Sequence, residues 1–211
     1  MTDQHDHDHD HAEHDHDHGH DHDHHEHVPV SYVDAVEGFR EDKDDFFAND
    51  PRSPIPTAER AAFTGLPYYP VDEALVFEGR TLEPYTGDEP SSFQIPTSDG
   101  RLRPAHRAGV FRFELDGAPR QLTAYTFDGG HGDSLFVPFL DETSGRETYG
   151  AGRYLDLEPD EDGTWAIDFN LAYHPSCVYA PQFSCPLTPA ENRLSTRIEA
   201  GERLPEHDAA H

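Results

Sequence analysis

The chain has 211 residues, with 43 acidic against 15 basic side chains and a formal net charge of -28. A polyanion of this kind repels nucleic-acid phosphates, and its fourteen arginines are scattered instead of forming a stripe, which argues against nucleic acid as a partner. No apolar run reaches the ~18 residues of a membrane span and the start lacks the basic and apolar regions of a secretory signal, so a soluble, cytoplasmic chain without a membrane partner is expected.

The first 27 residues hold twelve histidines, nearly all alternating with Asp or Glu: His5, His7, His9, His11, His14, His16, His18, His20, His22, His24, His25 and His27. Met1 and Ala12 are their only apolar neighbours, so residues 1–30 are expected to form a disordered arm with nothing to offset the entropy of ordering. Imidazole nitrogen suits zinc, nickel and copper(II), and adjacent carboxylates balance the cation's charge. Spacing of two places rings on one side of an extended chain and spacing of four on one side of a helix. The repeat satisfies both and specifies no unique site. Four-coordinate zinc then gives a capacity of about three to six ions. Protons compete for the same nitrogens, so affinity should fall below neutrality. An expression tag, a merely solubilising acidic leader and a pH-sensitive segment that binds a partner protein are rival readings.

Acidity continues beyond the arm, and Lys43 is the only lysine. That balance points to a halophilic protein, because molar salt screens surface repulsion to about 3 Å, and stability is expected to rise with KCl. About 180 residues remain for folding, which suits one domain with one core over residues 31–204 and a flexible tail at 205–211. Tyr32, Val33, Val36, Phe39, Phe46 and Phe47 recur at helical intervals, predicting a helix over 31–48 capped by Ser31 and stopped by Asn49-Asp50-Pro51. A helical turn follows at 57–63. Strands are expected at 74–83, 91–96, 107–116, 119–127, 134–140, 152–157, 164–170 and 193–199, with Asp116-Gly117 and Asp162-Gly163 as turns. The fold class is therefore mainly β, an antiparallel barrel or sandwich with the helix packed at one end.

Two groups within this domain carry chemistry. Glu147, Tyr149, Arg153, Asp156, Glu191 and Arg193 are candidates for a polar cleft or a buried charge network, since guanidinium forks match carboxylates. His174, Cys177 and Cys185 form H-x2-C-x7-C, a weak three-ligand zinc pattern whose fourth ligand would come from His131, His106 or a distant carboxylate. Two buried thiols or a disulfide across a short loop are the more ordinary readings of the cysteines. No phosphate loop, nucleophile elbow or H-E-x-x-H occurs, so enzymatic activity is left open.

The motifs Phe136-Val137-Pro138-Phe139, Thr143 to Asp156, Asp168-Phe169-Asn170, Ala172 to Tyr179, Cys185-Pro186-Leu187 and Glu191-Asn192-Arg193-Leu194 resemble those of the uncharacterised family called domain of unknown function 1684. Phe39-Arg40, Lys43-Asp44, Ser53-Pro54, Phe63 to Leu66 and Tyr69-Pro70 extend the resemblance over about residues 31–204. It implies a shared fold without supplying an activity. The arm is no part of that pattern. Ala151, His174 and Thr188 depart from the Gly, Asn and Pro that the family favours, so a ligand role for His174 is not implied by the resemblance. The sequence reading is thus a metal-binding protein using zinc, or alternatively nickel or copper, for buffering or for delivery to a metal-receiving protein. The alternative is an enzyme or small-molecule-binding β-barrel using the polar cleft.

Overall fold

A helix leaves its first backbone N–H groups without partners, and Ser31 satisfies one of them. In the computed structural model its Oγ accepts the Asp34 N–H at 3.1 Å, and α1 runs Tyr32–Asn49 before the chain turns extended at Asp50 ahead of Pro51. The structure describes residues 30–129 and 134–205. The expected arm up to residue 29, His131 and residues 206–211 lie outside the described residues. The chain divides into Met1–Val30 and Ser31–His211, and every element below belongs to the second unit.

The helix buries Val36 and Phe47. Phe47 packs with Ile55 and Leu66, and its ring meets Tyr179 edge-on with centroids 5.1 Å apart. Polar groups anchor the helix elsewhere: Tyr32 donates to Asp168 at 2.8 Å, and Arg40 to the Tyr69 carbonyl at 3.1 Å. The helical turn expected at 57–63 shortens to a 3-10 turn at Arg60–Ala62.

Among the described residues seven strands follow: β1 (Val76–Arg80), β2 (Ser92–Pro96), β3 (Leu102–Leu115), β4 (Ala118–Phe127), β5 (Leu135–Phe139), β6 (Arg153–Leu157) and β7 (Trp165–Asp168). Strands β2 to β6 form one antiparallel sheet in chain order, and β1 pairs antiparallel with β7 in a second. The arrangement is sandwich-like and neither sheet closes, which decides the expected barrel-or-sandwich choice. Asp116 and Gly117 both take positive φ, 54° and 68°, as a two-residue hairpin between right-twisted strands requires. The core lies on one face of the larger sheet, where Phe111, Phe113, Leu122, Val137, Phe139, Leu155 and Leu157 meet Trp165, Ile167, Phe169 and Ile198. Phe169 sits among Phe77, Phe113 and Phe139 with centroids 5.1 to 6.1 Å away. Each such ring contributes about 1.5–3 kcal/mol by leaving water.

Residues 193–199 do not form the expected strand. Leu194 and Ile198 do enter the core, but Arg193 makes only an isolated parallel bridge with Leu140, and the Ile198 N–H goes to the Asp141 carboxylate instead of a neighbouring strand. Asn192, fully buried, accepts the Thr123 N–H at 2.8 Å and donates to the carbonyls of Thr123 and Pro138, both at 2.7 Å, where β4 and β5 diverge. Beyond it, carbonyls that would feed a ladder are taken by Arg153.

Candidate functional site

Strand alternation sends Arg153, Leu155 and Leu157 to the core face of β6 and Tyr154 and Asp156 to the opposite face. Arg153 is 0% exposed. Its guanidinium donates to the carbonyls of Ile198 at 2.7 Å, Glu202 at 3.1 Å and Ala200, and faces Asp141 at 3.5 Å. Asp141 in turn accepts the Ile198 N–H at 2.8 Å. Together they clasp residues 198–202 against the sheet. Gly201 makes the fit possible: its φ is 73°, and a Cβ there would stand 2.5 Å from the Ala172 carbonyl oxygen.

The five charged candidates do not form the single buried network the sequence suggested. Glu147 lies at the surface, where Tyr69 (2.8 Å) and Arg197 (2.5 Å) hold its carboxyl below the usual carboxylate range. Glu191 pairs instead with Arg107, at 2.8 and 2.9 Å, and accepts the Tyr125 hydroxyl at 3.0 Å. Asp156 accepts the Tyr173 hydroxyl at 2.5 Å. Arg193 is exposed. The reason is geometric: neighbours in sequence on a strand face opposite ways, and loop residues find partners brought by distant strands.

Tyr149, the sixth candidate, belongs with the histidine and cysteines. Its N–H donates to His174 Nε2 at 3.2 Å, so the imidazole proton sits on Nδ1, which faces Glu202 at 3.6 Å. Burial, reinforced by Arg153 and Lys43, pushes His174 down to about 3 and keeps it neutral. Cys177 and Cys185 are free thiols, with the Cys177 N–H donating to Cys185 Sγ at 3.3 Å. Burial raises the Cys185 thiol to about 11. The imidazole lone pair is therefore already used and the Cys185 thiol keeps its proton at neutral pH. Among the described residues no three His, Cys, Asp or Glu side chains are grouped to hold a metal ion. His106 instead bonds Ser92 and Asp128.

A cleft of 490 Å³ opens on the outer face of the five-stranded sheet. Tyr125 stands opposite Phe136, and Phe136 opposite Asp156, in one row across β4, β5 and β6. Phe127, Tyr154 and Glu158 share that face, and the loop carrying Tyr173, Pro175, Cys185 and Pro186 folds over one side. Ring centroids are 5.3 Å apart for Phe127 and Phe136, 4.7 Å for Phe136 and Tyr154, and 5.7 Å for Tyr154 and Tyr173. Tyr154 donates to the Pro186 carbonyl and ties the loop down. Arg103 lies over the Phe127 ring at 3.8 Å. Of the six polar candidates only Asp156 lines this cleft, and Glu191 reaches its wall through Tyr125.

Sequence reasoning missed Lys43, Glu202, Arg107 and the aromatic wall. Glu202 is 1% exposed and accepts Lys43 at 2.6 Å, the His174 N–H at 2.7 Å and the Tyr179 hydroxyl at 3.0 Å, fixing α1 to the body. A signal for the wall existed: Leu122, Ala124, Tyr125 and Phe127 put apolar groups on both faces of β4, which a strand with one solvated face does not do.

No helix among the described residues is long and apolar enough to cross a membrane. No curated protein matches the chain. The solution NMR structure of an uncharacterised protein of Haloarcula marismortui is 40% identical, covers 82% of this chain and 94% of its own, and superposes with a TM-score of 0.62. Residues 61–203 match the family described as Protein of unknown function (DUF1684), and the chain belongs to that family.

Proposed function

We propose that the protein binds divalent transition-metal ions through its histidine-rich leader, taking zinc, or alternatively nickel or copper, for buffering or for delivery to a receiving protein. The observation that carries this reading is the density of ligands: twelve imidazoles in 27 residues, interleaved with carboxylates. The acidic, nearly lysine-free composition fits a salt-rich cytoplasm as the place where it works. Isothermal titration with zinc near neutral pH tests it. The full chain should take up about three to six ions, and a shortened chain beginning at Val28 should take up far fewer. Equal uptake by both overturns the reading.

A second function is supported by the outer-face cleft, whose volume falls within the range of small-molecule sites and whose walls are aromatic. In this reading the folded domain binds a small organic molecule beside Asp156. Arg153 supports the scaffold and stands outside the cleft lining. The two functions are compatible, since they use different residues.

A further inference from the structure

We propose that the outer-face cleft is selective for a small organic cation with a planar or apolar body, such as an aryl or alkyl ammonium compound. This rests on the small-molecule reading of the cleft and names its ligand class.

The argument begins with what the walls can offer. Their tyrosine hydroxyls are committed: Tyr125 to Glu191, Tyr154 to the Pro186 carbonyl and Tyr173 to Asp156. What remains in the lining is ring surface, the Asp156 and Glu158 carboxylates, the hydroxyls of Thr126, Ser134 and Ser176, and the Arg103 guanidinium beside Phe127. An anion therefore has its cationic partner at the Arg103 end and meets two carboxylates at the other. A cation finds the rings of Phe136 and Tyr173 in the lining, beside the nearly buried Tyr154, and aromatic faces attract positive charge. Asp156 on the outer face of β6 and Glu158 just past its last residue line that end of the cleft. Both are exposed, and Glu158 has no side-chain partner among the described residues, so their negative charge is available to an incoming ligand.

The molecule also displays the interaction within itself. Arg103 lays its guanidinium over Phe127 at 3.8 Å, and Lys43 holds its ammonium 4.8 Å from the centre of the Tyr173 ring. Two rings of these walls thus already carry a cation, the second of them from Lys43, which stands outside the cleft lining. Arg103 rests on Phe127 of β4, and β4 and β6 are separated by β5, about 10 Å across the sheet, so solvent and salt screen its repulsion of a ligand held at Asp156. The net charge of the whole chain enriches cations near its surface and adds to the preference.

Titration of the full chain with benzylammonium, benzyl alcohol and benzoate, three ligands of one shape and different charge, tests the proposal. Benzylammonium should bind about tenfold more tightly than the other two. Replacing Asp156→Asn together with Glu158→Gln should weaken benzylammonium about fivefold and leave benzyl alcohol unchanged. Both side chains are exposed and Asn at 156 keeps an oxygen to accept the Tyr173 hydroxyl, so the melt of this variant should stay close to that of the parent, and Glu158→Gln alone, which breaks no such bond, serves as a second variant. Equal affinities for the three ligands, or preference for benzoate, overturn the cation proposal while leaving the cleft a binding site. Failure of all three to bind overturns both readings.

Discussion

Arg153 and Arg103 point toward opposite faces of one sheet, and the contrast between their surroundings separates structure from function. On the inner face, Arg153 is enclosed by three backbone carbonyls, Asp141 and the rings of Phe139 and Tyr69. On the outer face, Arg103 lies exposed on Phe127 in the lining of an open cleft. The same guanidinium chemistry is consumed in one place and free to exchange in the other. A buried charge is costly to desolvate and becomes useful only when every acceptor is fixed around it, whereas an exposed one contributes little to folding and remains open to ligands.

Three perturbations sharpen that contrast. The largest effect is expected from Arg153→Ala, which leaves Asp141 buried without its cation and three carbonyls without donors. Urea unfolding should show a loss of about 3–5 kcal/mol. A loss no greater than that of an ordinary surface change would mean that water replaces the clasp. Asn192→Ala, also on the buried side, removes three hydrogen bonds at the divergence of β4 and β5 and should cost about 2–3 kcal/mol in the same measurement.

The third effect is smaller at neutral pH and grows with acid. His174 is lowered from an ordinary value of 6.5 to about 3, so the unfolded chain takes up a proton that the folded chain refuses. The stability this histidine supports is fully present above about 6.5 and is lost as pH falls toward 3. His174→Asn should therefore show a shallower decline of melting temperature between neutral and mildly acid pH than the parent. A difference in Tm between the two that stays constant with pH would show that the imidazole is not held neutral.

What was legible in the sequence were the features decided locally. Ser31 marks the helix start because a cap needs only its own neighbours, and Asp116-Gly117 marks a hairpin because the turn demands positive φ at two adjacent residues. The candidate site was less legible, since its partners are set by tertiary structure. Glu191 and Arg193 are two residues apart, yet Glu191 takes a guanidinium from 84 residues earlier in the chain. The segment 193–199 carries the apolar side chains of a strand and still is not one, because its fate depends on Arg153 and Asn192. Charged residues were read as a cleft, whereas the wall of the actual cleft is aromatic. The residues that joined both readings, Asp156 and Glu191, are those whose partners are tyrosines on that wall or its covering loop.

The clasp around Arg153 has a consequence for synthesis. Strand β6 is complete at Leu157, but the oxygens that satisfy its guanidinium belong to Ile198, Ala200 and Glu202. A nascent chain on the ribosome therefore carries an unsatisfied cation on the face it is trying to bury until those late residues emerge. Closure of the sandwich over Arg153 thus waits on residues 198–202, and a message cut short before residue 198 would yield a polypeptide without the acceptors its buried guanidinium needs.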